Sequence, residues 1–494
     1  MSKKDIPRGL ILLTVIIGTF LGRLDQTIVN LALPKIMKDF SITVSEAGWI
    51  ATAYIIANAI FVPIWGKLGD TIGRKKVYIL GFLIFIVGSI LAGLSWNFPS
   101  MIIFRIIQAI AGSADYPTAM AILAVTYPVG KERAQALGIW SSSFAAATVF
   151  GPLLGGPLID SFNWRAVFLI NLPVGIIGLI MAWFFIAESK SIKKSVHFDF
   201  LGAILLGITL SSLVLVLDQG LSWGWLSAYS IACYIVTAVT LIIFILVEKD
   251  HKEPIVDLKF FKNSVFVHTL INNFIVFMGM MGSVFLLPIF AQTFLGYDAT
   301  QTGYLFMPMA FMMMIASPLG GNLTGKLQPR YVIMISTAVA AAGLFLFSHM
   351  LDPRSGPLDV IIPLGVMAFG MGFGMAQRTN VIASVVPTHE IGIASSILAL
   401  ARNIAGAFGI AVFGTILNTS VEQAVLRTAR YSSFHGTGVS QFQQFVALLM
   451  TKAQIDGYHT VFFVSASVVL VGAALAYFIG NVEVKKGVKV EVEA

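Results

Sequence analysis

The chain alternates long apolar runs with short clusters of charge, proline and glycine. The runs fall near 10–34, 48–65, 77–95, 100–126, 134–160, 166–187 and 200–217. They continue near 228–247, 265–290, 301–322, 331–350, 359–383, 392–418 and 459–480. A helix that crosses a bilayer needs about 20 mostly apolar residues, a crossing strand only about 10. Within lipid every backbone polar group must be satisfied by the protein itself, which a helix achieves within one segment. Runs of this length predict about fourteen transmembrane helices and an all-α polytopic membrane fold.

Composition sharpens that picture. Of 494 residues, 57% are hydrophobic and 11% charged, where a soluble chain would carry about 25% charged. Residues 10–34 are too long for a signal peptide and lack a small-residue cleavage site, so they read as a permanent span. The single cysteine, Cys233, lies in an apolar run and predicts neither a disulfide frame nor a thiol metal cluster.

Net charge is +8, a value that could suggest a nucleic-acid partner until its distribution is followed. With the N-terminus placed inside, the inner connections hold about 21 Lys and Arg, among them Lys67, Arg74, Lys131, Lys190, Lys193, Lys194, Lys252 and Lys485. The outer ones hold about 7, such as Lys35, Arg165 and Arg354. This bias predicts cytoplasmic termini in a plasma (inner) membrane. It assigns the basic charge to an anionic lipid leaflet, with no nucleic acid.

Two repeats suggest related halves. Gly66-x-Leu68 is echoed by Gly321-x-Leu323, with Arg330 near the place of Lys75. Glu132…Gly151…Gly156 is echoed by Glu390…Gly409…Gly414 at an offset of about 258 residues. Parallel repeats of this kind enclose a central cavity in many transporters. The expected organisation is a six-helix bundle over 8–187 and two extra helices with linkers over 188–263. A second six-helix bundle follows over 264–480, including an outer loop at 419–457, and then a tail over 481–494. In that loop Phe442, Phe445, Val446, Leu449 and Met450 recur at helical spacing, as in a short amphipathic helix or a gate.

Ionisable residues within spans are functional candidates because lipid makes them costly. Asp25 follows Gly18 and Gly22 on one helical face, so a close-packed face presents a carboxylate. It reads as a proton carrier or as half of a structural ion pair. Arg105, with Gln108 and Gly112 on its face, is its expected partner: the two differ in depth by roughly 6–8 Å at ~1.5 Å per residue. Asp115, just before Tyr116-Pro117, is a second candidate for substrate or proton, and the proline can bend its helix. Arg378 and Arg402 are the candidate cavity cations of the second half. Arg23, two residues from Asp25, is expected to snorkel outward. Gly151, Pro152, Gly155 and Gly156 predict a kinked, close-packed helix. The methionines at 307, 309 and 312–314 suit either an adaptable pocket or a lipid-facing surface.

The stretch Gly66-Lys67-Leu68-Gly69-Asp70-Thr71-Ile72-Gly73-Arg74-Lys75-Lys76 resembles the loop between helices 2 and 3 of the major facilitator superfamily. Arg105 to Gly112 resembles its helix 4 motif, and Gly151 to Gly156 the helix 5 motif of its antiporters. Leu24-Asp25-Gln26-Thr27-Ile28-Val29-Asn30 and Asn163-Trp164-Arg165-Ala166-Val167-Phe168-Leu169-Ile170-Asn171-Leu172-Pro173 resemble the 14-helix drug:proton antiporters of EmrB/QacA type.

That resemblance implies two rocking bundles, a proton-titrating acid at Asp25 and coupling through Arg105. It also implies an inner gate at Gly66, Asp70, Gly73 and Arg74. Asp115, Arg23 and Arg378 depart from the family pattern. The expected function is proton-coupled efflux of amphipathic small molecules. The alternative is an exporter or facilitator specific for an anionic or zwitterionic metabolite. The expected partners are the substrate, protons and the bilayer, with the chain acting as a monomer. No metal, cofactor or enzymatic constellation is expected, and a proton gradient supplies the energy.

Overall fold

The computed structural model describes residues 7–42, 44–188, 199–251, 254–297, 299–324, 326–387, 390–431 and 439–480. Lys190, Lys193, Lys194, Lys252, Lys485 and the 481–494 tail lie outside the described residues, as does the Pro152 side chain. The helices of the first part are α1 (Arg8–Phe40), α2 (Val44–Ile72), α3 (Arg74–Gly93), α4 (Phe98–Gly112), α5 (Asp115–Thr126), α6 (Lys131–Ser161), α7 (Ala166–Leu169) and α8 (Asn171–Phe185). Next come α9 (Phe200–Trp223) and α10 (Ala228–Asp250). The last part comprises α11 (Ser264–Phe294), α12 (Ala299–Gly321), α13 (Pro329–Met350), α14 (Pro357–Ser384), α15 (Ile391–Tyr431) and α16 (Val439–Leu475).

Among the described residues, 12 helical segments are long and apolar enough to cross a membrane: α1 to α3, α7 with α8, and α9 to α16. The chain is an all-α polytopic membrane protein. The remaining two predicted runs are helical as well. Residues 134–160 lie inside α6. The run 100–126 is divided into α4 and α5 by a turn at Ser113 and Ala114. Pro117 has no N–H to offer the Ser113 carbonyl, which removes a rung where the helix breaks.

Helix α1 packs on α6 and α8, and α3 on α4 and α8. In the last part α13 packs on α14 and α16, and α11 on α15. Across the chain, α6 meets α12 while α2 and α5 meet α15. These crossings mirror each other in detail. A Cβ on Gly66 would lie 2.7 Å from the Gly392 carbonyl oxygen, and one on Gly321 would lie 2.6 Å from that of Ala134. The two copies of the glycine motif thus each press on the start of a long helix in the opposite half. Helix α9 lies against α2 and α15, and α10 covers α9. Trp183, Phe184, Ile235, Ile242 and Leu246 point outward. Apolar surface of that extent calls for lipid.

Two segments differ from expectation. The described part of the expected outer loop at 419–457 is helical: α15 continues to Tyr431 and α16 begins at Val439, so Phe442, Phe445, Val446, Leu449 and Met450 belong to a 37-residue helix and not to a short one. From Thr415 to Tyr431 no glycine or proline interrupts α15. Gly457 of α16 also packs closely on Leu417 and Val421, so the pair continues as two facing helices. The Gly66–Lys76 stretch is likewise mostly helix. Only Gly73, at φ +111°, separates α2 from α3, a conformation that glycine adopts without a steric cost.

At one end of the molecule lie Arg8, Lys67, Arg74 and Lys259, here called the basic end. Near the other, Trp164 Nε1 and Arg165 Nη1 donate to Asp39 Oδ2 at 2.9 and 3.0 Å. These donors hold the Asp39 carboxyl below the usual carboxylate range.

Candidate functional site

Helix α1 turns Asp25 toward α4 and α8, where it is wholly enclosed. Arg105 Nη1 donates to Asp25 Oδ2 at 2.6 Å, and Gln108 Nε2 donates to Oδ1 at 2.9 Å. Asn171 Nδ2, at the start of α8, donates to the same Oδ1 at 2.9 Å and also to Ser89 Oγ at 2.8 Å. The guanidinium lies 4.3 Å from the Tyr54 ring centroid and 5.7 Å from that of Phe168. Two helices, α4 and α8, therefore hold the α1 carboxylate, and aromatic rings flank the guanidinium paired with it. A charge so enclosed persists only with donors of this kind. The sequence reading paired Asp25 with Arg105 and Gln108 with the same face; Asn171, Ser89 and Tyr54 escaped it. A polar Asn in the apolar run 166–187 was the available signal.

Asp115 opens α5. Trp140 Nε1 donates to Thr19 Oγ1 at 2.8 Å, and Thr19 Oγ1 donates to Asp115 Oδ2 at 2.7 Å. Asp115 Oδ1 is buried without a hydrogen-bond partner. Among the described residues no arginine lies within ion-pair distance of Asp115, although Arg23 shares a small pocket with it, so Asp115 is a second enclosed acid with an open acceptor.

In the second half, Arg378 Nε donates to Asn272 Oδ1 at 2.7 Å and Nη2 to Thr337 Oγ1 at 2.9 Å. Arg402 donates to Tyr116 Oη at 2.6 Å, and to Asn273 Oδ1 and Thr379 Oγ1 at 3.3 Å each. It therefore ties α15 to the residue next to Asp115. Arg402 also borders a central cavity of about 380 Å³, together with Arg23, Gln26, Phe144, Met309 and Met313. Arg23 does not snorkel outward: its guanidinium lies 4.9 Å from the Phe144 ring centroid and Nη1 donates to Gln26 Oε1 at 3.1 Å. The α1 face bearing Arg23 looks into the cavity, so an ordinary inward contact replaces the longer reach to an interface. Met312 and Met314 face outward, so the methionine cluster serves both surfaces. A larger groove of about 710 Å³ runs between α2, α9 and α10, but Cys233 is its sole ionisable lining residue, as expected for a lipid-facing surface.

At the basic end, Asp70 Oδ1 accepts from Arg74 Nη2 and Nε at 2.9 and 3.2 Å. Its Oδ2 accepts from the Ile393 N–H at 3.0 Å, in the first turn of α15. The carboxylate thus meets the positive end of a helix dipole in the opposite half. Gly73 packs on Glu188, which accepts from the Lys75 N–H at 3.3 Å. Gly151 lies against Thr27 and Gly155 against Leu31 and Ile28, whereas Gly156 has open space beside it. Helix α6 runs through all four expected kink positions without a break.

The sequence profile described as Major Facilitator Superfamily matches residues 15–410. The chain is 35% identical over 424 residues to the multidrug transporter protein MdtP of Bacillus subtilis (strain 168), covering 85% of this chain and 77% of that protein. It is 28% identical over 488 residues to the multidrug export protein EmrB of Escherichia coli (strain K12), covering 95% of each. Among solved structures, the human organic anion transporter MFSD10 (TETRAN) superposes with a TM-score of 0.66 at 13% identity, over 95% of this chain and 99% of that one. Identity that low speaks to the fold alone. The profile match and the extended similarity to MdtP establish that the chain belongs to the Major Facilitator Superfamily, as a secondary transporter.

Proposed function

We propose that the chain is a proton-coupled exporter of amphipathic small molecules, with fourteen spans in a plasma membrane and both termini cytoplasmic. The twelve long helices, with α6 and the α4–α5 pair, make up that number. Helices α1–α8 and α11–α16 are the two bundles, α9 and α10 the inserted pair. The observation that carries the reading is the enclosed Asp25, held by Arg105, Gln108 and Asn171. A proton on Asp25 removes the charge that these three donors hold, so protonation and the packing of α1 on α4 and α8 are linked. Proton uptake from outside would loosen Asp25 from Arg105. Release inside would restore the pair and favour substrate capture.

Asp70 and Arg74 serve as the inner gate, since Asp70 joins α2 to the start of α15 at the basic end. The cavity that would hold substrate has a pliable methionine wall, which suits varied apolar shapes. Purified protein in liposomes with an imposed pH gradient tests the reading. Gradient-driven flux of an amphipathic dye is expected in the wild type, and Asp25→Asn is expected to abolish it. Flux that ignores the gradient, or full coupling in Asp25→Asn, would overturn the proposal.

A further inference from the structure

The central cavity is lined by two arginines, Arg23 and Arg402, against one carboxylate, Asp218. Four arginines lie within the apolar runs: Arg23, Arg105, Arg378 and Arg402. Asp25 balances Arg105. Among the described residues no carboxylate stands within ion-pair distance of the other three. Arg402 directs its hydrogen bonds to the neutral oxygens of Tyr116, Asn273 and Thr379. Among the described residues Arg23 donates to Gln26 and lies over the Phe144 ring. Both border the one cavity, and the two guanidiniums are close enough to repel each other.

Asp115 does not line that cavity, but it shares a smaller adjoining pocket with Arg23 and attracts that guanidinium from there. Asp218 of α9 does line the cavity, but it is engaged by Thr52 Oγ1 at 2.8 Å and Gln219 Nε2 at 2.7 Å.

Like charges gathered in a low-dielectric enclosure are costly, and an entering anion relieves that cost. The guanidinium fork also matches the oxygens of a carboxylate or sulfonate. We propose that this cavity is the binding site for an amphipathic organic anion. Its carboxylate or sulfonate seats between Arg23 and Arg402, and its apolar body lies on Met280, Met309, Met313 and Met375. The inference rests on the export reading above and adds the charge of the substrate to it. Arg378, outside the cavity wall, adds only to the positive field.

Calorimetric titration of the full chain in lipid nanodiscs, corrected against protein-free nanodiscs, is the test. The probes are naphthalene-1-sulfonate, 1-naphthylmethylamine and 1-naphthylmethanol, which share an aromatic body and differ in charge. The sulfonate is expected to bind about tenfold or more tightly than the amine. Arg23→Gln and Arg402→Gln are each expected to weaken the sulfonate by about tenfold, the equivalent of one charge-assisted hydrogen bond. The same changes should leave the alcohol unaffected, and Arg23→Lys should recover part of the loss. Asp218→Asn should not weaken the sulfonate.

Tighter binding of the amine, or sulfonate affinity untouched by both glutamine variants, overturns the inference. Should Arg402→Gln fail to fold, Arg23→Gln decides alone, because its side chain opens onto the cavity. The export reading is separable. Gradient-driven dye flux without sulfonate preference sinks only the anion site, whereas sulfonate binding without gradient-driven flux sinks only proton coupling.

Discussion

Asn171 shows how far a single neutral side chain can matter inside this protein. Its amide reaches both Asp25 and Ser89, so truncation leaves a buried carboxylate short of one donor. Asn171→Ala is expected to destabilise the protein by about 1–3 kcal/mol, the usual penalty for an orphaned buried acceptor. A thermal-unfolding series should show it well below Ser89→Ala, and an unchanged midpoint would mean that the Asp25 cluster tolerates the loss. Asp25 and Arg105 were legible in the sequence because a charge in an apolar run is rare and demands an opposite partner. Asn171 was not, because an amide is cheap enough to sit in a span for many reasons. Arg23 was misread because an offset of two residues from Asp25 separates their directions without saying what lies along either one.

At the scale of elements, the segment after α10 acts as a strap across the basic end. Glu248 Oε1 accepts from the N–H groups of Ile255 and Val256 at 3.1 and 3.3 Å, and Lys67 Nζ donates to the Pro254 carbonyl at 2.9 Å. Lys259 Nζ reaches Glu390 Oε1 at 2.8 Å, while Ile255 and Phe260 are buried among apolar residues of both halves. The strap joins α2 to the approach of α15, the same two helices that Asp70 connects.

Lys67→Met is therefore expected to open this end more often. In a Cys233→Ser background, an engineered Ser396→Cys should react about five- to tenfold faster with a water-borne thiol reagent, in line with the loss of one charge-assisted bond. Lys259→Ala, at a half-exposed site, should change the rate little. Equal rates for Lys67→Met and wild type would show that the strap does not hold the gate. Helix positions themselves were largely legible from apolar run length. The reach of α15 to Tyr431 and of α16 back to Val439 was legible only in part, since the apolar spacing at 442–450 signals a helix but its continuity with the 459–480 run depends on packing against α15.

For the whole molecule, the crossed pairs α2 with α15 and α6 with α12 meet at the basic end, while the central cavity lies deeper between the halves. Alternating access by rocking requires these crossings to part. A Gly66→Cys/Ser396→Cys pair in the Cys233→Ser background is expected to form a disulfide under oxidation, because the two Cβ positions come within bridging reach once the α2–α15 crossing gives slightly. Oxidation should stop flux in proteoliposomes and reduction should restore it. Transport that persists in the crosslinked protein would exclude separation of α2 from α15 as a required step.

The sequence by itself determined that this chain lives in a bilayer, that its spans are helical, and which few ionisable residues lie within them. Those conclusions follow from run length and from the cost of charge in lipid, which act on each segment alone. Only the tertiary structure decided which partners those residues meet. It placed Asn171 on Asp25, Arg402 beside Tyr116 and Arg23 in the central cavity, and it set Asp70 on the first turn of α15. Each of these contacts joins residues from different helices, whose relative rotation and depth emerge from the packing of many side chains. No periodicity within one helix encodes the face its neighbour presents. The Gly66 and Gly321 copies lay on the border between the two: their likeness is visible in sequence, but their matching crossings exist only in three dimensions.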